Sequence, residues 1–351
     1  MPAATKASGV PGESAGSLGW IAPLCRVRLG GLAPQLSQVA AGFTLLGQKG
    51  LLRLQYDGLA DLRREGLHGV ILEARLGDAV LAYDLADGCE EIEEKDKFDR
   101  QLERVTFYFK RGYDPRCNQG VKHRNRMRPL GLNYHVTCPG NFMDDCRTPG
   151  YTPEDYMSHN SYPAYRGLFL ARLWDPGTPG LSEQDAAGIE RVNALRIGCI
   201  RACREALGER FYGGLEDSLC AQKIAPDLAL PAAETAKDAC LRRLKGNYVG
   251  VTAMSPRGCV GWELAEFCAA GRAIVTEPLR AVLPGGFSRG RNFIHFTTPE
   301  ECVRQLTALL DNVPAIHRME AANFAYYNGY VRPDAMVLRS LRTVWPGFPK
   351  E

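Results

Sequence analysis

Ser255-Pro-Arg-Gly-Cys-Val-Gly-Trp-Glu-Leu-Ala-Glu-Phe-Cys-Ala-Ala-Gly-Arg-Ala-Ile-Val-Thr-Glu-Pro-Leu279 reads as a loop, a helix and a strand in succession. The helix starts near Gly261 and stops at Gly271, and the apolar run 273–276 follows as a strand. Unpaired N–H groups at a helix start attract an anion, and Gly258 and Gly261 would let the backbone approach it. Glu263 and Glu266 fall on the helix behind that loop, where a carboxylate can accept hydrogen bonds from ribose hydroxyls. The same pattern also serves an ordinary αβ unit whose glycines make only turns and packing contacts. Its surroundings therefore have to decide.

Working outward, residues 166–176 form an apolar strand ending in Arg172, Trp174 and Asp175. Ser182 caps a helix running to about Leu207, with apolar residues every three or four positions. Strands are expected at 210–213, 227–230 and 248–252, the last leading into the quoted segment. After it come a strand at 292–296 and a helix at 300–310. Thr298-Pro-Glu-Glu301 signals that helix with a capping box and a first-turn proline. Residues 314–342 form two further helical stretches divided at Arg332-Pro333.

The N-terminal part divides differently. Residues 1–19, rich in Ala, Gly, Ser and Pro, read as a disordered leader. Residues 20–137 form a first domain, with strands at 69–72, 79–83, 105–109 and 127–132 and a helix at 98–104. Strands separated by helical stretches lead us to expect a parallel sheet. Prolines and glycines through 138–163 mark a linker, 164–330 is the second domain, and 331–351 is a terminal tail. Two domains suit a chain of 351 residues.

Composition excludes several classes. A formal charge of +3, with Lys and Arg dispersed, gives little support to nucleic-acid binding. The one basic cluster, Lys122-His-Arg-Asn-Arg-Met-Arg128, reads first as a solvated loop. Twelve cysteines include no Cys-x-x-Cys pair, and Cys199 and Cys203 share a helix face with Ile189, Val192, Ile200 and Leu207, so buried reduced thiols are expected. No apolar run is long enough for a membrane span and no signal peptide is seen, which points to the cytoplasm. Hydrolase, zinc-protease, P-loop and dehydrogenase motifs are missing.

The quoted segment resembles the donor-binding part of GT-B glycosyltransferases, which move a sugar from a nucleotide diphosphate to an acceptor. One retaining family of that fold carries paired glutamates, the second ahead of a glycine. Here Glu266 stands five residues before Gly271 and matches the second, ribose-binding glutamate; the first glutamate's place, eight residues earlier, is Gly258. Gly261-Trp-Glu-Leu-Ala-Glu266 and Ala273-Ile-Val-Thr-Glu-Pro278 are closer to a bacterial, nucleotide-sugar-dependent branch. The resemblance implies two doubly wound, Rossmann-like α/β domains facing a cleft, with a C-terminal helix crossing back. It covers residues 160–345 well and the first 135 loosely.

By that resemblance, Arg172 after the second domain's first strand contacts the diphosphate, and a guanidinium suits the charge that develops there. Arg257 is a second cation for the same phosphates. Gly258, Cys259, Val260 and Gly261 would act through backbone N–H groups, and Glu266 through the ribose, with Glu263 as its competitor. Residues 213–217 either approach the base or sugar or make a simple turn. Ligands gather at the carboxyl ends of parallel strands, so Asp57, Asp84, Asp87 and His135, with Lys110 and Arg111, are acceptor-side candidates. Asp84 or Asp87 would act as base if the reaction inverts. No Asp-x-Asp occurs, so neither a metal nor a cofactor is expected beyond the nucleotide-sugar donor, whose acceptor partner is left open. The alternatives are a GT-B-like protein that binds without turnover, and another nucleotide-sugar enzyme such as an epimerase.

Overall fold

The computed structural model describes residues 20–59, 70–88, 94–116, 118–143, 150–158 and 165–349. The expected leader and parts of the expected linker lie outside these residues.

The first domain comprises β1 (Leu24–Leu29), α1 (Ser37–Gln48), β2 (Arg53–Leu59), β3 (Ile71–Leu76), β4 (Ala79–Asp84), α2 (Lys95–Glu103), β5 (Phe107–Lys110) and β6 (Met127–Pro129). Its sheet has the order β2-β1-β3-β4-β5-β6. All strands run the same way except β3, which is antiparallel to both neighbours. The sheet is thus mixed, where an all-parallel one was expected. The cause is local: only Gly77 and Asp78 separate β3 from β4. Two residues can close a hairpin, whereas a parallel crossover needs a dozen or more.

Alternation places Cys25, Val27 and Leu29 on the face covered by α1, while Tyr108 and Ala82 meet Phe98 and Leu102 of α2 on the other. Almost every residue of α1 is buried, which explains its apolar composition on all sides.

A short helix, α3 (Pro153–Tyr156), precedes the second domain. There follow β7 (Gly167–Ala171), α4 (Glu183–Leu207), β8 (Phe211–Leu215), α5 (Leu219–Ile224), α6 (Ala232–Thr235), α7 (Lys237–Gly246) and β9 (Val249–Thr252). Then come α8 (Trp262–Ala269), β10 (Ala273–Thr276), β11 (Ile294–His295), α9 (Pro299–Leu310), α10 (Val313–Tyr326) and α11 (Pro333–Leu341). The five strands are all parallel, in the order β11-β10-β9-β7-β8. Residues 227–230, expected as a strand, contribute only a single bridge between Ala229 and Leu215.

Both faces of this sheet are covered. Phe169, Ala171, Val249, Val251, Ala273 and Val275 pack with α4 and α9, and Leu168 and Ile274 with α7 and α8. The capping signals act as written: the Ser182 and Thr298 hydroxyls accept the N–H groups of Asp185 and Glu301. Gly271 ends α8 with φ +61°.

The tail crosses back. From α10 the chain makes one π-helical turn, Tyr327–Val331, and enters α11. Met336, Val337, Leu338 and Leu341 then join the core of the first domain. Each such side chain contributes about 1.5–3 kcal/mol by burial. Gly42 of α1 permits the contact, because a Cβ there would lie 2.3 Å from the Pro333 carbonyl oxygen. Apart from the antiparallel β3, the layout is the expected one: two α/β domains across a cleft, with a terminal helix returning to the first. No helix among the described residues is long and apolar enough to cross a membrane.

Candidate functional site

In a doubly wound sheet the order 2-1-3-4-5 reverses between the first and third strands, and ligands bind outside the carboxyl ends there. In this sheet those strands are β7 and β9. They pair only through Gly167 with Val249 and Leu168 with Gly250, so they part toward their carboxyl ends. A cavity of about 580 Å³ opens at that point, lined by Arg172, Trp174, Glu216, Lys237, Ser255, Gly261, Glu263 and Glu266 from the second domain. Gln35, Asp87, Arg111 and His135 line it from the first. This size accommodates a nucleotide-scale ligand.

α4 fixes the chain leaving β7. Buried Asn193 accepts the Trp174 N–H at 3.2 Å and donates to the Trp174 carbonyl at 2.7 Å. Arg172 is left with its side chain 64% exposed, 3.9 Å from the Glu216 carboxylate. The cavity thus has a cation whose only close carboxylate partner among the described residues is weakly placed.

α8 opens onto the cavity. Its N-cap is Gly261, which has no side chain to cap the first turn. One turn inside, Glu266 is buried and its carboxylate accepts a hydrogen bond from Lys237 Nζ at 2.5 Å. Burial raises the Glu266 pKa, and Lys237 opposes that rise. Lys237 also sits 5.1 Å from the Tyr156 ring centroid. Glu263 faces the same cavity, with its carboxylate folded back over Gly261. A Glu266 carboxylate oriented by an ammonium group can accept hydroxyl hydrogen bonds.

The loop before α8 behaves differently from its sequence expectation. Gly258 adopts φ +71° and donates its N–H to the Ser255 carbonyl at 3.0 Å, so that group is engaged within the turn. Arg257 pairs with Asp185 of α4 at 3.1 Å and is not among the cavity-lining residues. Cys259 and Val260 are buried against the first domain, where the Val260 carbonyl accepts from Arg111 at 2.7 Å. Of the four residues expected to act through backbone N–H groups, only Gly261 lines the cavity.

The acceptor-side candidates also separate. Asp87, half exposed, pairs with buried Arg111 at 2.9 Å, and both face the cavity. His135 lines it too, packed against Trp262 at 5.2 Å. Its Nε2 is buried without a hydrogen-bond partner among the described residues. Burial, and then the charge on Lys237, lower its pKa to about 4, so it is neutral near pH 7. Asp84 is fully buried, pairing with Lys110 at 3.0 Å and accepting from Tyr108 at 2.7 Å, which makes it a structural carboxylate. Asp57 lies on the edge strand β2, exposed and bonded to Gln55, and does not line the cavity. In the basic cluster, Arg126 donates to the carbonyls of Leu102, Glu103 and Val105, closing the end of α2.

Sequence reasoning missed Lys237, Asn193 and Arg196. Asn193 and Arg196 carried a signal, since polar residues interrupt the otherwise apolar stripe of α4. Lys237, at the first position of α7, carried none. Among the described residues no group of three or more His, Cys, Asp or Glu side chains is placed to hold a metal ion.

No protein-family model matches the chain, and no curated protein matches it. Similar solved structures include HepE from Anabaena, in complex with UDP and glucose, at 8% identity and a TM-score of 0.43, covering 86% of this chain and 88% of that one. Sucrose-phosphate synthase from Thermosynechococcus elongatus matches at 10% identity and a TM-score of 0.42, covering 73% and 61%. The C-terminal domain of a glycosyl transferase group 1 family protein (LpcC) from Francisella tularensis matches at 8% identity and a TM-score of 0.37, covering 52% of this chain and 99% of that one.

Proposed function

We propose that the protein is a glycosyltransferase that binds a nucleotide-diphosphate sugar in the switch-point cavity and passes the sugar to an acceptor admitted between the domains. The observation that carries this reading is the convergence, in one cavity of about 580 Å³, of Arg172, the uncapped start of α8 and the buried Glu266–Lys237 pair. Arg172 and the first-turn amides of α8 take the diphosphate, and Glu266 takes the ribose. In the reaction the bond from the anomeric carbon to the phosphate oxygen breaks and a bond to the acceptor oxygen forms. The acceptor's proton leaves to a base, and the diphosphate gains charge that Arg172 stabilises as it develops.

From the first domain, neutral His135 offers a hydrogen bond to a sugar hydroxyl. Asp87, which lines the cavity, would serve as base if the reaction inverts. We propose that these protein cations meet the leaving group without a metal. EDTA should then leave turnover unchanged, and a loss restored by magnesium would refute that part. A cytoplasmic location belongs to the same proposal, supported by the described cysteines being free thiols.

A second reading, binding without turnover, is favoured by Gly258 in place of a first glutamate and by its engaged N–H. Incubation with UDP-, GDP-, TDP- and ADP-sugars separates the two. An enzyme should slowly release free sugar from one donor even without an acceptor. Absence of both hydrolysis and transfer across a broad acceptor screen would establish the binder.

A further inference from the structure

Arg196 lies in the middle of α4, only 4% exposed. Its guanidinium donates to the Arg172 carbonyl at 2.6 Å and to the Ala253 and Met254 carbonyls at 3.1 Å each. One side chain therefore ties the carboxyl end of β7 to that of β9, where the strands have ceased to pair with each other. The group also stacks on Trp174, 4.3 Å from the ring centroid, and its Nε is buried with no hydrogen-bond partner among the described residues. No carboxylate lies within 4 Å of it among the described residues. The charges of Glu263 and then Glu277 act on it from farther off, and Glu277 engages the Met254 N–H at 2.6 Å. Burial lowers the Arg196 pKa to about 10, so it remains a cation at neutral pH.

A buried guanidinium whose hydrogen-bond partners among the described residues are all carbonyls, with no carboxylate paired to it, is costly to a fold. An apolar residue would fill the same stripe of α4 without that cost. The charge is bonded to the Arg172 carbonyl and stacked on Trp174, both of which line the crevice. A diphosphate bound there would add negative charge to that which Glu263 and Glu277 already direct at Arg196.

We propose that Arg196 is the positioning residue of the diphosphate subsite, holding both strand ends in register and adding a fixed buried positive charge behind it. The inference rests on the donor-site reading above and deepens it. Arg196 does not touch the ligand. It acts through the backbone of Arg172 and of residues 253–254, and through its field, which is weakly screened at that depth. The ligand class follows: a compact polyanion such as a diphosphate is selected over an uncharged sugar or nucleoside.

The test uses inorganic pyrophosphate and the preferred nucleoside diphosphate as probes, with calorimetry on wild type, Arg196→Lys and Arg196→Gln, each also melted thermally. Arg196→Gln should weaken pyrophosphate binding about tenfold or more, the scale of one buried charge at an effective dielectric near 20. Arg196→Lys, which keeps the charge but not the fork, should lose less. Binding of the parent nucleoside, which carries no phosphate, should change under threefold in both. Any folded variant that binds pyrophosphate as wild type does would overturn the proposal, and so would an equal loss for pyrophosphate and nucleoside.

Hydrogen exchange on the unsubstituted protein keeps the test open if neither variant folds. Pyrophosphate should slow exchange at both strand ends, residues 172–175 and 253–256, together. Slowing at one end only, or at neither, would overturn the clamp. If wild type binds neither probe, it is the donor-site reading that fails.

Discussion

Replacing Arg172 with alanine should separate binding from stability. The side chain is 64% exposed and its one close ionic partner among the described residues, Glu216, lies 3.9 Å away and is itself 49% exposed. Exposed pairs of this kind are worth about 0–1 kcal/mol, so the melting temperature should move by no more than about 2 °C. Binding should respond far more. A hydrogen bond to a charged group contributes about 1.5–3 kcal/mol, and a guanidinium can make two to a diphosphate. Crediting the exposed side chain with one bond's worth predicts a rise in Kd of roughly 10- to 150-fold, since 1.4 kcal/mol is a factor of ten. Turnover should fall further than affinity, because the charge on the leaving diphosphate is greatest in the transition state. Calorimetry with the preferred nucleoside diphosphate gives the first quantity and donor hydrolysis the second. Arg172→Lys should fall between, keeping the charge and losing the fork. Unchanged affinity in a folded Arg172→Ala protein would remove Arg172 from the site.

Glu266→Ala should raise the Kd for the same nucleotide by about tenfold or more, from one lost charged hydrogen bond; unchanged affinity would transfer the ribose contact to Glu263. Arg111→Ala should lower the melting temperature by a few degrees, because it removes a buried side chain joined to Asp87 and to the Val260 carbonyl across the domain boundary; an unshifted melt would show that this contact does not hold the domains. His135 predicts a pH effect of definite sign. Its folded pKa, about 4, lies below its ordinary value of 6.5, so the unfolded chain binds the proton more readily. The associated stability is complete above pH 6.5 and is lost as pH falls toward 4. Urea midpoints in that window should decline less in His135→Gln than in wild type, and parallel declines would place the titration elsewhere.

What the sequence disclosed, and what it withheld, follows from the range of the forces involved. Local signals translated directly: Gly261 and Gly271 bracket α8, Ser182 and Thr298 cap their helices, and residues 273–276 form β10 as read. The antiparallel β3 was recoverable by arithmetic, since too few residues precede β4 for a crossover. α1 escaped notice because a helix buried on nearly every side has no polar face to set its period. At the site, Arg172, Glu263, Glu266, Asp87 and His135 do line one cavity. Asp84 could not be told from Asp87 in sequence, because the distinction is a buried lysine, Lys110, from the neighbouring strand. Lys237 reaches Glu266 from 29 positions away, and nothing in its local sequence marks that meeting.

On our proposal, the cavity between β7 and β9 is a nucleotide-diphosphate site. Calorimetric titration of the wild-type protein with UDP, GDP, TDP and ADP tests it most directly. One of the four should bind at a single site with measurable heat, and raise the melting temperature by ligand linkage. Failure of all four to bind at millimolar concentration would mean that the cavity does not take a nucleoside diphosphate.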